Sequence, residues 1–214
     1  MIIPPRRKYG IVVPWMNRAV EAELPTMVMS NVQLHWTRVV PTRLPESPKD
    51  ESYLEDMVNN LPQALQALDP IDLRSVIFAC TSASTLEVQK VDGFDIVTTI
   101  TCVIDELNHR DFTRPIIVSP YSSSLATQIE ERLVSSAIRP VSSSVIPYSG
   151  ELRDIPRTAI ADAVPTELTH KADSILILCT ALFTGDIERQ LAAKSIGLPV
   201  VSSISSIAGY ISRH

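Results

Sequence analysis

The chain has 214 residues, 45% of them hydrophobic, so it is long enough to bury a core in one large domain or two small ones. Acidic residues outnumber basic ones by 24 to 19, and the net charge of −5, with a single short basic block at Arg6–Lys8, does not favour nucleic-acid binding. No apolar run approaches the roughly 20 residues that span a bilayer, and prolines and basic residues interrupt the N-terminal segment. We expect a cytoplasmic protein that binds neither nucleic acid nor membrane.

The first half of the chain alternates short apolar runs with stretches of helical pattern. The predicted strands are Tyr9–Val13, Val32–Val40 and Ser75–Ala79. The predicted helices are Ala19–Met29, with Asn17 as its cap, Tyr53–Leu68, kinked or split by Pro62, Ser84–Lys90 and Ile96–Arg110. Three prolines in Pro41–Asp50 predict a loop, which we interpret as a candidate lid.

The second half repeats this alternation from Arg114 onward. The predicted strands are Pro115–Ser119, Ile138–Ile146, Ser174–Leu178 and Leu198–Val201. The predicted helices are Ser123–Val134, Arg157–Ala163, Ile187–Ser195, ended by Gly197, and Ser203–Ile211. Alternating strands and helices favour parallel sheets, in which ligands bind beyond the carboxyl ends of the strands.

Two segments of the chain repeat each other in order. Ser75–Thr85 and Ser174–Thr184 are apolar runs that end in Cys-Thr, and Gly10–Trp15 and Ile116–Tyr121 end in Pro-aromatic. This duplication predicts two α/β lobes related by a pseudo-twofold axis. We place the first lobe at residues 1–111, joined by the C-terminal helix at 203–214, and the second at residues 112–202.

The repeat sets two of the three cysteines apart. Cys80 and Cys179 each end a predicted strand and precede a predicted helix N-terminus, which would lower the pKa of a thiol. Each is followed by a threonine, Thr81 or Thr180, whose hydroxyl can hold an oxyanion. Two thiols that face each other across a cleft can act on opposite faces of one carbon. Cys102 lies among apolar residues of a predicted helix, so we interpret it as a core residue.

The other cysteine and cofactor signals are negative. An odd number of cysteines fits a reducing compartment better than a disulfide framework, and no pair has the spacing of a metal site. The four histidines are scattered through the chain. No glycine-rich nucleotide-binding motif occurs, so we expect neither a metal nor a nucleotide cofactor.

The ordered motifs resemble those of the aspartate/glutamate/hydantoin racemase superfamily, and most closely its branch with maleate cis-trans isomerase and arylmalonate decarboxylase. The matching segments are Val13–Asn17 with Glu21 after it, Ala79–Ser82, Ser119–Tyr121, Leu178–Thr180 and Ile196–Ser203. The resemblance implies two flavodoxin-like lobes, no cofactor, and an active site in the cleft between the lobes.

The resemblance also implies roles for individual residues. Cys80 and Cys179 would be the catalytic pair, and a small carboxylate would be bound by Asn17, Thr81, Ser82, Tyr121 and Thr180. From the residues alone, Asn17 is equally a helix cap, Tyr121 a packed aromatic, and Thr81 and Ser82 capping residues. Relatives in this branch carry a second asparagine in the second half, and the nearest candidate here is Asp154.

These observations predict a cofactor-independent isomerase, similar to maleate cis-trans isomerase, that acts on a small carboxylate. We also expect a homo-oligomer, either a dimer or a tetramer. An amino-acid or hydantoin racemase, an arylmalonate-type decarboxylase and a non-catalytic carboxylate-binding protein are the alternatives. The decarboxylase has glycine at the first cysteine position, so Cys80 argues against that alternative.

Overall fold

Two four-stranded parallel sheets organise the chain, as seen in a computed structural model that describes residues 7–45, 51–69, 71–88, 90–91 and 93–214. The first sheet has the order β2-β1-β3-β4, and the second has the equivalent order β6-β5-β7-β8. The predicted fold class, two α/β lobes with parallel sheets, is confirmed. The strands are β1 (Arg7–Pro14), β2 (Val32–Val39), β3 (Ser75–Phe78), β4 (Ile96–Thr98), β5 (Pro115–Ser119), β6 (Ser142–Val145), β7 (Ser174–Ile177) and β8 (Val200–Ser202).

Helices connect successive strands, except between β3 and β4, where the described residues form a single 3₁₀ turn. They are α1 (Ala19–Met27), α2 (Tyr53–Asn59), α3 (Leu61–Leu65), α4 (Thr99–His109), α5 (Ser123–Ser135), α6 (Arg157–Asp162), α7 (Ile187–Ala193) and α8 (Ser203–Arg213). Strands β3, β5 and β7 are buried along their whole length. Their unbroken apolar runs are what a parallel strand covered on both faces requires. Within the described residues, no helix is long and apolar enough to cross a membrane.

The C-terminal helix α8 packs back on the first lobe. Its residues Ile204, Ile207 and Ile211 share a buried cluster with β1 and α1. The Arg213 guanidinium bonds the side chains of Asp105 and Glu106 in α4. A Cβ at Gly209 would collide with the Glu106 carboxylate, so glycine permits the close approach of these helices. The boundaries that we place at residues 111/112 and 202/203 stay a prediction.

One predicted helix is wrong. In place of a helix over Ser84–Lys90, the chain makes one 3₁₀ turn, Ala83–Thr85, and becomes extended at Leu86. Leu86 and Val88 then pack against the core, so tertiary burial overrides the local helical pattern.

Other predicted elements change at their ends. The predicted helix Ile96–Arg110 begins as strand β4, because its first three residues are β-branched and pair with β3. The predicted helix Tyr53–Leu68 splits at Asn60, near Pro62. The predicted strand Ile138–Ile146 shortens to β6.

Gly197 does not end helix α7. Ser195 takes the left-handed conformation there, with φ of 59°, and the Ile196 N–H bonds the Leu191 carbonyl. The predicted loop Pro41–Asp50 is irregular over residues 41–45, and residues 46–50 lie outside the described residues. Its role as a lid stays a prediction.

Candidate active site

A cavity of about 520 Å³ lies at the carboxyl ends of the central strands and is lined by residues of both lobes. Parallel sheets place ligands at this edge, because the loops that follow the strands meet there. The structure brings all the predicted site residues to this one cavity. They are Asn17, Cys80, Thr81, Ser82, Tyr121, Cys179 and Thr180.

The two thiols have equivalent surroundings. Cys80 follows β3 and Cys179 follows β7, and each is buried, 4% and 5% exposed. Each sulfur lies against the backbone N–H groups two and three residues further along the chain. These donors are Ser82 and Ala83 for the first thiol, and Ala181 and Leu182 for the second. The duplicated Cys-Thr turn therefore gives each thiol two backbone donors that can stabilise a thiolate.

The pKa of both thiols is raised, so the expectation of lowered values is wrong. Burial raises the pKa of Cys80, and it raises the pKa of Cys179 from 9.0 to about 11, while the backbone donors lower both. The predicted helix dipoles are missing, because only a 3₁₀ turn follows Cys80 and helix α7 begins eight residues after Cys179, at Ile187. Both cysteines are therefore predominantly thiols at neutral pH when the site is empty.

A hydroxyl group lies beside each sulfur. The Sγ of Cys80 lies 3.5 Å from Ser82 Oγ. The Tyr121 hydroxyl hydrogen-bonds the Cys179 thiol and is in hydrogen-bonding contact with Thr81. Burial raises the pKa of the Tyr121 phenol well above its ordinary 10.0, so this group stays a proton donor.

Ser203 joins the two cysteine loops, and the sequence analysis assigned it no role. Its Oγ accepts hydrogen bonds from Thr81 Oγ1 at 3.0 Å and from the Cys179 N–H at 3.2 Å. Ser203 is the first residue of α8 and is fully buried. It ends the motif Ile196–Ser203, which was the available signal, but a serine after a strand is usually a helix cap.

Asn17 and Thr180 form a second contact between the lobes. The Asn17 Nδ2 donates to Thr180 Oγ1 at 3.1 Å, and that hydroxyl donates to the Ala79 carbonyl at 3.0 Å. The Asn17 Oδ1 also accepts from the Val20 N–H at 3.2 Å, which is the predicted capping contact of α1. Asn17 thus caps a helix and lines the cavity, whereas the Thr180 proton is already donated within the protein.

Arg38 holds the loop that carries Asn17. Its guanidinium donates to the carbonyls of Pro14 at 3.3 Å, Trp15 at 3.0 Å and Asn17 at 3.0 Å. It also forms an ion pair with Glu21 of α1. A planar group with five donors is suited to several carbonyls at once, so Arg38 fixes the path of this loop.

Glu23 holds the loop that follows Cys179. Its carboxylate accepts hydrogen bonds from the N–H and hydroxyl of Thr184, and from the Gly185 N–H at 2.8 Å. Cys179 itself has φ of 114°, a conformation that residues with a side chain rarely adopt. Strain of this kind persists only where the surroundings enforce it, and it is concentrated at functional sites.

Comparison with known proteins identifies solved structures of similar fold. No protein-family model and no curated protein sequence matches the chain. A maleate cis-trans isomerase from Nocardia farcinica, a cysteine-to-serine variant with a covalently bound succinylcysteine intermediate, is 18% identical with a TM-score of 0.78. The aligned region covers 97% of this chain and 91% of that one.

Two further solved structures extend the likeness. The maleate isomerase of Pseudomonas putida is 15% identical, with a TM-score of 0.71 and coverage of 96% and 91%. An arylmalonate decarboxylase is 16% identical, with a TM-score of 0.68 and the same coverage. The chain has the fold of the maleate isomerases and arylmalonate decarboxylases. The fold that the sequence resemblance implied is confirmed over nearly the whole chain.

Asp154, which the sequence resemblance offered as the nearest candidate for a second asparagine, does not lie at the cavity. It is exposed, in the 3₁₀ turn Leu152–Asp154, and is not among the residues that line the cavity. The cavity wall beyond β6 is formed instead by residues 145–148, Val-Ile-Pro-Tyr. This run echoes Val39-Val40-Pro41 after β2, a third repeat that the sequence analysis missed.

Proposed function

We propose that the protein is a cofactor-independent, two-cysteine isomerase that acts on a small carboxylate, as the maleate cis-trans isomerases do. One observation carries the proposal. Cys80 and Cys179 follow equivalent strands of the two lobes, line one cavity and have matching pairs of backbone donors. Core cysteines have no need of such donors, whereas a thiolate intermediate does.

In the proposed reaction, Cys80 loses its proton and its thiolate adds to one alkene carbon of the substrate. The alkene π pair moves toward the neighbouring carboxylate, and Cys179 donates a proton to the other alkene carbon. The former double bond is now single and rotates. Return of the proton to Cys179 and expulsion of the Cys80 thiolate then release the other geometric isomer. The succinylcysteine in the Nocardia farcinica isomerase is an adduct of this type.

Two backbone N–H groups and one hydroxyl group surround each sulfur, so either thiol could serve as the nucleophile, and the scheme assigns that role to Cys80. Ser82 offers its N–H and its hydroxyl to Cys80, so a thiolate at that position has three donors. A pKa of about 11 keeps Cys179 protonated at neutral pH, as a proton donor requires. In this scheme, solvent or the substrate carboxylate accepts the Cys80 proton.

We propose that Thr81, Ser82, Tyr121 and Asn17 bind the substrate carboxylate, together with backbone N–H groups of the Cys80 turn. Negative charge on the carboxylate grows when the thiolate adds, and preorganised donors stabilise that charge most. The hydroxyl protons of Thr81 and Thr180 are already donated, to Ser203 Oγ and to the Ala79 carbonyl. We therefore assign the backbone N–H of Thr81, not its hydroxyl, to the carboxylate. Thr180 accepts a hydrogen bond from Asn17. We assign it the role of orienting Asn17.

A racemase of α-substituted carboxylates is the second candidate. The near-equivalence of the two thiol environments favours it, because a racemase alternates the base and the acid between two faces of one carbon. The two reactions give different products in heavy water. A racemase places solvent deuterium at the α-carbon of the inverted product, whereas the isomerase converts an alkene into its geometric isomer.

Variants of the three cysteines test the proposal. Cys80→Ser and Cys179→Ser should each lower turnover of a cis-alkenoate at least 1,000-fold while leaving the melting temperature within a few degrees. The matched control is Cys102→Ser, since Cys102 is buried in α4 outside the cavity and should leave turnover unchanged. Near-normal turnover by either cavity variant would contradict the proposal.

A carboxylate-binding protein without activity gives a different result. In that case ligand would bind, and no alkenoate or α-substituted acid would be converted. We further propose that the protein acts in a reducing compartment such as the cytoplasm, consistent with three free cysteines, and that it is a homo-oligomer. Light scattering at micromolar concentration measures the oligomeric state.

A further inference from the structure

We infer that the substrate has a carboxylate at one end and an apolar group, not a second carboxylate, at the other. This inference names the substrate class of the proposed isomerase and so rests on that proposal. It comes from the lining residues to which the reaction assigns no role.

The cavity lining contains two chemically different groups of residues. Polar groups surround the two cysteines, as described above. The rest of the lining is largely apolar, comes from both lobes and includes Leu54, Leu125, Val145, Ile146 and Leu152. Tyr53 is held edge-on against Trp15, with ring centroids 5.4 Å apart, so this part of the wall is fixed by packing.

The charge of the cavity lining is unfavourable for a second carboxylate. Among the described residues that line the cavity, Glu51 is the one charged side chain, and no lysine or arginine is present. The Glu51 carboxylate lies close enough to Tyr53 and Tyr148 to raise the pKa of both phenols, although burial is the larger cause. A second substrate carboxylate there would face a like charge and lose water without gaining a cationic partner.

The size of the cavity agrees with this assignment. Cavities of about 300–1,000 Å³ hold drug-sized ligands, so 520 Å³ far exceeds the needs of a four-carbon diacid. An apolar substituent would fill the remainder and displace water from the wall. Each methylene that it buries should tighten binding about fourfold.

The reaction chemistry is compatible with one carboxylate. In a 3-substituted cis-alkenoate, the Cys80 thiolate would bond to C3, and the π pair would pass to C2 and the carboxylate. The single carboxylate thus accepts the charge beside the donors of the Cys80 turn. Reversal of both steps after rotation restores the thiolate, so atoms and electrons balance without a co-reactant.

Binding of unreactive, saturated acids tests the inference without turnover. Isothermal titration calorimetry should show 3-phenylpropionate binding at least 10-fold more tightly than succinate. Glu51→Gln should narrow that ratio by improving succinate binding several-fold. Glu55→Gln is the matched control, because Glu55 is exposed on α2 outside the cavity lining.

Equal or tighter binding of succinate, or failure of both acids to bind, would overturn the inference. An unchanged ratio in Glu51→Gln would also overturn it, since the Glu51 charge would then have no effect on the binding of a second carboxylate. These outcomes are separate from those of the cysteine variants. Selective binding without turnover would contradict the proposed reaction alone. Turnover that favours maleate would contradict the proposed substrate class alone.

Discussion

Replacing Ser203 by alanine should damage both cysteine loops at once. The Ser203 Oγ is fully buried and accepts from Thr81 Oγ1 at 3.0 Å and from the Cys179 N–H at 3.2 Å. Removing it leaves a buried N–H without a partner and a hydroxyl that must turn elsewhere. An unsatisfied buried group costs about 1–3 kcal/mol, so Ser203→Ala should lower the free energy of unfolding by about 2–4 kcal/mol.

The same substitution at Ser206 supplies the control. Ser206 is equally buried on the same helix, but its hydroxyl donates only to the Ser202 carbonyl within α8. Ser206→Ala should therefore cost less than about 1 kcal/mol. Urea unfolding followed by circular dichroism measures both values. If the two variants lose the same stability, Ser203 does not join the two loops and the reasoning is refuted.

Three further predictions concern pH, the Asn17 loop and metal ions. Because burial raises the pKa of Cys179 from 9.0 to about 11, the folded protein holds that proton more tightly than the unfolded protein. The stability from this difference should be complete below pH 9 and be lost between pH 9 and 11. Urea titrations should therefore show a smaller loss in Cys179→Ser than in wild type, and the loss that remains comes from other groups of raised pKa such as Cys80 and Tyr121. Arg38→Met should reduce kcat/KM about 10-fold, because it releases the loop that carries Asn17. Arg38→Lys should show the same loss, since lysine lacks the planar set of donors. Arg18 is exposed and next to Asn17 in the chain, and Arg18→Met should leave kcat/KM unchanged. Excess EDTA should leave turnover unaltered, because the proposed steps use only thiols, hydroxyls and backbone donors; loss of activity that added metal restores would contradict those steps.

The sequence predicted the fold well because the duplicated segments are apolar runs, and strands that are buried on both faces must be apolar. Strands β3, β5 and β7 are covered on both faces, so their apolar runs are nearly continuous and easy to recognise. The helix predicted over Ser84–Lys90 failed where the local pattern was weak and Leu86 found burial in an extended conformation. Residues 41–45 form a loop as predicted, but nothing local to them indicates what the loop contacts.

The sequence predicted which residues line the candidate site, but it did not predict their hydrogen bonds or their pKa values. Cys80 and Cys179 follow strand ends that the repeat marks, so their meeting in one cavity could be expected. Their raised pKa values could not, because they depend on burial and on the absence of helices that the local pattern had predicted. Contacts such as Ser203 to Thr81 join residues 122 positions apart, which only the folded chain brings together.

The proposed reaction requires that Cys80 and Cys179 both contact one small molecule, from opposite sides. Reaction with a short bifunctional reagent, dibromoacetone, in the Cys102→Ser variant tests it directly, with the products read by mass spectrometry of peptides. The account predicts that one reagent molecule bridges Cys80 and Cys179, and that a bound carboxylate slows the reaction. Separate single modifications of the two cysteines, without a bridge, would contradict it.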